Sequence, residues 1–448
     1  MGGGGGLSLR GFVATQLLLV LLVACSCCGA TRNWLPHESS TSNKRHGKHS
    51  PPPSPKTKPP PMPSPSDHPP VAPEGSGSTF SVLDYGAKGD GSTDDTKAFK
   101  AAWSAACEAA SASSKFVVPS NSEFLVGPIS FSGPCKSTIV FQWLEFRLLE
   151  GFTIQGQGTI EGKGSVWWSS QSLLSSNPIG TVLSGLPHTK PTAVRFYGSS
   201  DVTVTGITIQ NSPQFHLKFD NCRAVEVSGV GISSPGDSPN TDGIHLQNSV
   251  DVSIHDTDLS CGSDDCISIQ TGCSNILIQN INCGPGHGIS IGGLGKANGQ
   301  ASVSNVTVRN ANMVGTMTGV RIKTWQGGSG YVKSIRFSKI KVSQVKTPIV
   351  INQFYCDQLG KCKNQTSAVA LSDITYDGIA GTYTVQPVYL ACSDSMPCQN
   401  IHLDDIQLQL DEQSTARAYD PFCWQVYGDL QGPTQPPIDC LLQTGKTN

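Results

Sequence analysis

The stretch Ser249-Val-Asp-Val-Ser-Ile-His-Asp-Thr-Asp-Leu-Ser-Cys-Gly-Ser-Asp-Asp-Cys-Ile-Ser-Ile-Gln-Thr-Gly-Cys-Ser-Asn-Ile-Leu-Ile278 carries three strand-like triplets, Val252-Ser-Ile254, Ile267-Ser-Ile269 and Ile276-Leu-Ile278. Branched apolar residues two apart are what a half-buried strand needs, because successive side chains point to opposite faces. Working outward, the first kind of triplet recurs as Val202-Thr-Val, Val225-Glu-Val, Val306-Thr-Val and Ile335-Arg-Phe. The six starting points are 23, 27, 24, 30 and 29 residues apart. A second short strand follows within the repeat: Ile244-His-Leu, Ile267-Ser-Ile, Ile289-Ser-Ile and Ile322-Lys. Repeats of this length, with several strands and no helix, suit an all-β chain wound as a right-handed parallel β-helix. A leucine-rich horseshoe would need Leu-x-x-Leu-x-Leu, and a propeller would need longer repeats.

One helix is expected, near the start. Ser92-Thr-Asp-Asp95 can cap a segment whose apolar residues fall at Ala98, Phe99, Ala102, Trp103 and Ala106. A short N-terminal capping helix is what the open end of a solenoid requires. The charged fraction of 14%, against about a quarter in ordinary globular chains, fits short strands and turns.

The first 77 residues differ from the rest. Residues 1–30 read as a signal peptide: Arg10, an apolar run from Phe12 to Cys25, then small residues at Cys28, Gly29 and Ala30. Residues 31–77 are Pro-rich and basic, with Lys44, Arg45, Lys48, Lys56 and Lys58 among the prolines. Such a segment buries too little to offset its ordering entropy and reads as a disordered, extended spacer. A weak tether to an anionic polymer is the second reading. Residues 78–448 then form the β-helix domain. A secreted chain should pair most of its cysteines. Thirteen of the 16 lie beyond the signal, so an odd thiol is expected. Short intervals point to Cys356 with Cys362 and Cys392 with Cys398. Asn305-Val-Thr and Asn364-Gln-Thr are glycosylation sequons. The net charge of −2 argues against nucleic acid, and no later segment suits a membrane.

Stacking brings scattered chemistry together. Two positions before the first Ile of consecutive second strands stand Asp242, Asp265 and His287, with Asp264 one earlier, and Arg321 and Lys323 flank Ile322. Strict alternation would bury the first three with the isoleucines, so a turn is expected to re-aim them outward. Each residue alone has a plainer role: Asp242-Gly as a turn, Asp264-Asp265 as a turn or Ca²⁺ ligands, His287 in a loop, Arg321 and Lys323 on a solvated face. In register they form a column of three carboxylates, an imidazole and two cations. One protonated carboxyl and one ionised carboxylate are what glycosidic hydrolysis needs. Crowded carboxylates raise at least one pKa, and Arg and Lys can pair with a substrate carboxylate.

These residues resemble the polygalacturonases of glycoside hydrolase family 28. The likeness rests on Asn240-Thr-Asp-Gly243, Gly262-Ser-Asp-Asp-Cys266, Gly286-His-Gly288 and Arg321-Ile-Lys323, in order and spacing. It extends over nearly all of residues 78 to 448, including Val82-Leu-Asp-Tyr-Gly-Ala-Lys-Gly-Asp-Gly91 and Gly162-Lys-Gly-Ser-Val-Trp-Trp168. The resemblance implies a secreted plant cell-wall enzyme that hydrolyses the α-1,4-galacturonan of pectin with inversion. Asp264 would be the general acid, Asp242 and Asp265 the pair that activates water, and His287 the support of the acid. Arg321, Lys323, Asn240 and Tyr355 would bind substrate, the last on a weaker match, and Cys266–Cys283 would brace the catalytic turn. No metal or cofactor is implied, and a monomer is expected. Endo or exo cutting depends on loops at the groove ends; likeness to plant relatives leans to exo. A Ca²⁺-dependent pectate lyase and a non-catalytic pectin-binding protein are the alternatives.

Overall fold

In the computed structural model the six triplets lie in parallel register: Val202 beside Val225, Val225 beside Val252, then Ile276, Val306 and Ile335. The stack continues beyond them, to Phe152 before and to Ile374, Ile401 and Gly428 after. The structure describes residues 78–443 apart from 110–112, 120–121, 128, 133–134, 136–137, 141–143, 166, 169–189 and 358–361. The signal peptide of residues 1–30 and the linker of 31–77 lie outside the described residues.

The strands form a parallel β-helix with two principal sheets, of 17 and 11 strands. The smaller one carries the second strands and is called the active sheet below. Its nine later members are Val194–Tyr197, Leu217–Asp220, Ile244–Gln247, Ile267–Ile269, Ile289–Leu294, Thr318–Thr324, Thr347–Asn352, Val388–Ala391 and Phe422–Trp424. Alternate residues face the interior, so Val194 and Phe196, Leu217 and Phe219, Ile244 and Leu246 are all fully buried. Each such side chain contributes roughly 1.5–3 kcal/mol on burial. Phe146, Phe196 and Phe219 stack along the axis at 4.9 and 5.2 Å. One expectation needs correcting. Val320, not Ile322, takes the place of the first isoleucine in the fourth strand, and Ile322 pairs with Ile291. The shift is two residues, so Arg321 and Lys323 still face outward.

The coils turn their corners with residues in left-handed backbone. Asp251, Asn275 and Asn305 occupy one corner, at φ 59, 58 and 54°; Asp256, Asn280 and Asn310 occupy another, at 53, 56 and 53°. Asn and Asp tolerate this region better than other residues with a Cβ. Their side chains then bond up the stack: Asn275 Nδ2 donates to Asp251 Oδ1 (2.8 Å), and Asn305 Nδ2 to Asn275 Oδ1 (2.9 Å).

The capping helix spans Thr96–Glu108 and buries Ala98, Phe99, Ala102, Trp103 and Ala106. Trp103 lies 4.8 Å from the Phe131 ring and 6.1 Å from Phe152, closing the end of the core. The cap differs in detail from the expected one. Asp95 is the N-cap but bonds no helix amide; its carboxylate accepts from the Lys88 and Gly89 amides (2.7 and 3.1 Å), bracing the preceding loop. Asp94 accepts from Thr96 N–H instead (3.0 Å). Disulfides join Cys266–Cys283, Cys356–Cys362 and Cys392–Cys398 as expected, and also Cys107–Cys135 and Cys423–Cys440. Cys222, Cys261 and Cys273 are buried thiols.

Candidate active site

Asp242, Asp264, Asp265 and His287 sit on turns that enter active-sheet strands, Arg321 and Lys323 on a strand's outer face, and Tyr355 just past the end of Thr347–Asn352. The turns stack through their backbones: Gly243 N–H donates to the Asp265 carbonyl (2.9 Å), Cys266 N–H to Gly288 (2.8 Å), and His287 N–H to Asp264 (2.7 Å). Glycine is required at Gly288, where φ is +88° and a Cβ would lie 2.1 Å from the Thr318 carbonyl oxygen. These turns re-aim Asp242 and Asp265 out of the isoleucine row.

Asp265 is the most tightly held group. Its Oδ1 accepts from Arg321 Nη2 (2.7 Å) and Ser290 Oγ (2.7 Å), and its Oδ2 from Lys323 Nζ (2.8 Å). Its side chain is 2% exposed and those of both cations 9%. Burial opposes its ionisation, yet Arg321 and Lys323 outweigh burial and bring its pKa down to about 2. Asp242 is in the opposite state. Burial first, then the carboxylates of Asp264 and Asp265, push its pKa well above the usual range. The carboxylates of Asp264 and Asp265 thus act together with burial on Asp242, while Arg321 and Lys323 act on Asp265. The three carboxyls differ: Asp265 is fixed as an anion, and Asp242 is driven toward its protonated form.

Asp264 is the more open member, with 19% of its side chain exposed; its Oδ1 lies 3.6 Å from His287 Nδ1 and accepts from Asp265 N–H at 2.9 Å. Tyr355 joins the group through its ring, 5.4 Å from Lys323 Nζ and edge-on to Trp325 at 5.5 Å. Gly293 leaves room for both aromatics, since a Cβ there would lie 2.8 Å from Trp325 and 3.0 Å from Tyr355. Asn240 stands exposed in left-handed backbone (φ 57°), two residues ahead of Asp242.

Two histidines were missed in the sequence. His245 Nδ1 lies 2.8 Å from Asp242 Oδ2, and its ring stacks on Phe215 at 4.1 Å. Burial, then the charge of Lys218, depresses its pKa to about 3, so it is neutral and donates from Nδ1. His216, fully buried, holds the Asp242 carbonyl twice: by its backbone N–H (2.9 Å) and by Nδ1 (3.0 Å). The signal for His245 was available, three residues after Asp242 on the outer face of the same strand. His216 carried none, because its contact depends on the next coil.

Asp264, Asp265 and His287 place ligand atoms within 4.8 Å of one another. Both oxygens of Asp265 are already taken by cations, so a metal ion there would face Arg321 and Lys323. The donor set does not fit a Ca²⁺ cage, which needs six to eight oxygens.

The solenoid crowds a carboxyl driven toward its protonated form against a cation-held carboxylate, the pairing that acid–base hydrolysis of a glycoside requires. The model of glycosyl hydrolases family 28 matches residues 107–420, and the chain belongs to that family. A polygalacturonase of Cryptomeria japonica is 43% identical over 74% of this chain and 67% of its own length. A probable polygalacturonase of Arabidopsis thaliana is 41% identical over 80% and 83%. Among solved structures, an exopolygalacturonase from Thermotoga maritima superposes with TM-score 0.64 at 19% identity, covering 84% of this chain and 94% of that one. An endo-xylogalacturonan hydrolase from Aspergillus tubingensis gives 0.61 at 20%, covering 82% and 99%. At such identities the structures attest the fold alone.

Proposed function

We propose that this enzyme is a polygalacturonase, hydrolysing α-1,4-galacturonosidic bonds of pectin by acid–base catalysis. The observation that carries the reading is the contrast between Asp265, clamped as an anion by Arg321 and Lys323, and Asp242, whose pKa burial and two neighbouring carboxylates push up. In this reading Asp264, the open member, protonates the leaving oxygen, and His287 supports it. Asp242 and Asp265 position and activate water. Arg321 and Lys323 keep N–H donors beyond those given to Asp265 and pair with a uronate carboxylate, while Tyr355 and Asn240 line its sugar. A plant cell-wall location, secretion through the 1–30 segment and a monomeric state belong to the same proposal. Among the described residues no helix is long and apolar enough to cross a membrane.

Inversion also belongs to the proposal. Inverting enzymes commonly separate their carboxyls by about 6.5–9.5 Å to admit water between them. In this reading the water enters beside Asp242 and Asp265. The test is polygalacturonate digestion followed by proton NMR and product sizing. New reducing ends that first appear as the β-anomer support the reading. Unsaturated product absorbing near about 235 nm and lost with chelator would establish a lyase instead, and α-anomer first would remove inversion. Monomer as sole product would mean exo cutting, and a ladder endo.

A further inference from the structure

Charge leaves the outer face of the active sheet at its C-terminal end, and aromatic rings replace it. Upstream the outward positions carry Arg195, Lys218 and His245, followed after two coils by Arg321 and Lys323. Beyond them, Val350, Tyr389 and Phe422 lie in register with Arg321, and Asn352, Ala391 and Trp424 in register with Lys323. None of these six is charged at neutral pH. Tyr389 and Phe422 stack at 5.3 Å with 20° between their planes. Phe422 is 40% exposed and Trp424 49% exposed. Trp424 is tethered by its edge, Nε1 donating to Asp394 Oδ1 at 3.0 Å, which fixes the indole.

We propose that this strip is a platform for an uncharged, methyl-esterified stretch of the galacturonan chain held in the cleft; the proposal rests on the polygalacturonase reading. The strip continues the same sheet face without a break, and at about 4.8 Å per strand Phe422 lies roughly 14 Å from Arg321, within reach of one threaded chain. An aromatic face is electron-rich and packs on apolar C–H surfaces of a sugar, but disfavours a carboxylate. The Asp394 carboxylate beside Trp424 adds to that discrimination. A second copy of the chain fits less well. The two half-exposed rings offer roughly 200 Å², against about 800 Å² per partner in a stable interface.

The test compares kcat/KM on demethylated and half-esterified galacturonan of equal length, for wild type, Trp424→Ala, Phe422→Ala and Trp424→Phe. The ratio of esterified to demethylated rates is expected to fall about tenfold in the alanine variants and to recover in Trp424→Phe, with melting temperature unchanged. An unchanged ratio, or equal loss on both substrates, overturns the proposal. A dimer in size-exclusion chromatography that Trp424→Ala splits overturns it too, and assigns the strip to a second copy. Wild type that cleaves neither substrate defeats the polygalacturonase reading instead. Calorimetric titration with the esterified chain then decides the platform separately: binding weakened in Trp424→Ala supports it, and equal binding removes it.

Discussion

Asp264 and Asp265 are neighbours in the chain with opposite physical roles. Asp265→Asn would leave Arg321 and Lys323 buried without their counter-charge, which costs about 3–5 kcal/mol. Asp264→Asn removes a part-exposed carboxyl. We therefore expect both variants to lose at least about 10²-fold in turnover, but only Asp265→Asn to lose several kcal/mol in urea unfolding; equal stability would contradict the clamp. His245 sets a pH dependence. Its folded pKa of about 3 lies below an ordinary histidine's, so the unfolded chain binds its proton first as pH falls. The stability it contributes is present above about pH 6.5 and is lost between there and pH 3. His245→Asn should flatten the fall in unfolding free energy over that window, measured in urea at pH 6.5, 5 and 4; an unaltered slope would show that the histidine is not held neutral. Sequence reading singled out Asp242, Asp265 and His287 because each stands at one offset from a strand, and Asp264 because it adjoins Asp265. It missed His216, whose partner lies 26 residues away.

At the scale of elements, the helix and the corners carry the solenoid. Trp103 is 6% exposed among Phe131, Phe146 and Phe152, far from the carboxylates in the stack. Trp103→Ala should cost about 3–5 kcal/mol while kcat at 25 °C stays within about twofold; a large kcat loss with intact stability would refute this division. The helix was legible in full, since Ala98, Phe99, Ala102, Trp103 and Ala106 follow helical spacing. Its cap was not, because Asp95 turns to the Lys88 and Gly89 amides, a tertiary choice. The asparagine corners were written at constant offsets around each triplet, as in Asp251, Asn275 and Asn305, and went unread among ordinary turn residues.

For the whole molecule, the N-terminal 77 residues and the β-helix are expected to act separately. Deleting residues 31–77 should leave kcat/KM on short oligogalacturonates and the melting temperature unchanged. Retention on immobilised polygalacturonate at low salt distinguishes the two readings of the basic segment: equal retention marks a spacer, and a clear loss that disappears in high salt marks a tether. The stack also ran further than the sequence pattern showed, to Phe152 and to Gly428. Phe and Gly at these positions break the Val/Ile regularity while the register persists.

From sequence alone came the repeat, the end cap and the identity of the six charged or titratable groups on one face, because strand periodicity and coil length are local properties of the chain. The three-dimensional structure alone decided which carboxyl is pushed toward its protonated form and which is held as an anion. That choice depends on distances across coils: Arg321 and Lys323 reach Asp265 over more than fifty residues of chain, and the carboxylate of Asp264 acts on Asp242 where burial leaves neither fully solvated. Ionisation follows the local field, and that field exists only after the coils have stacked.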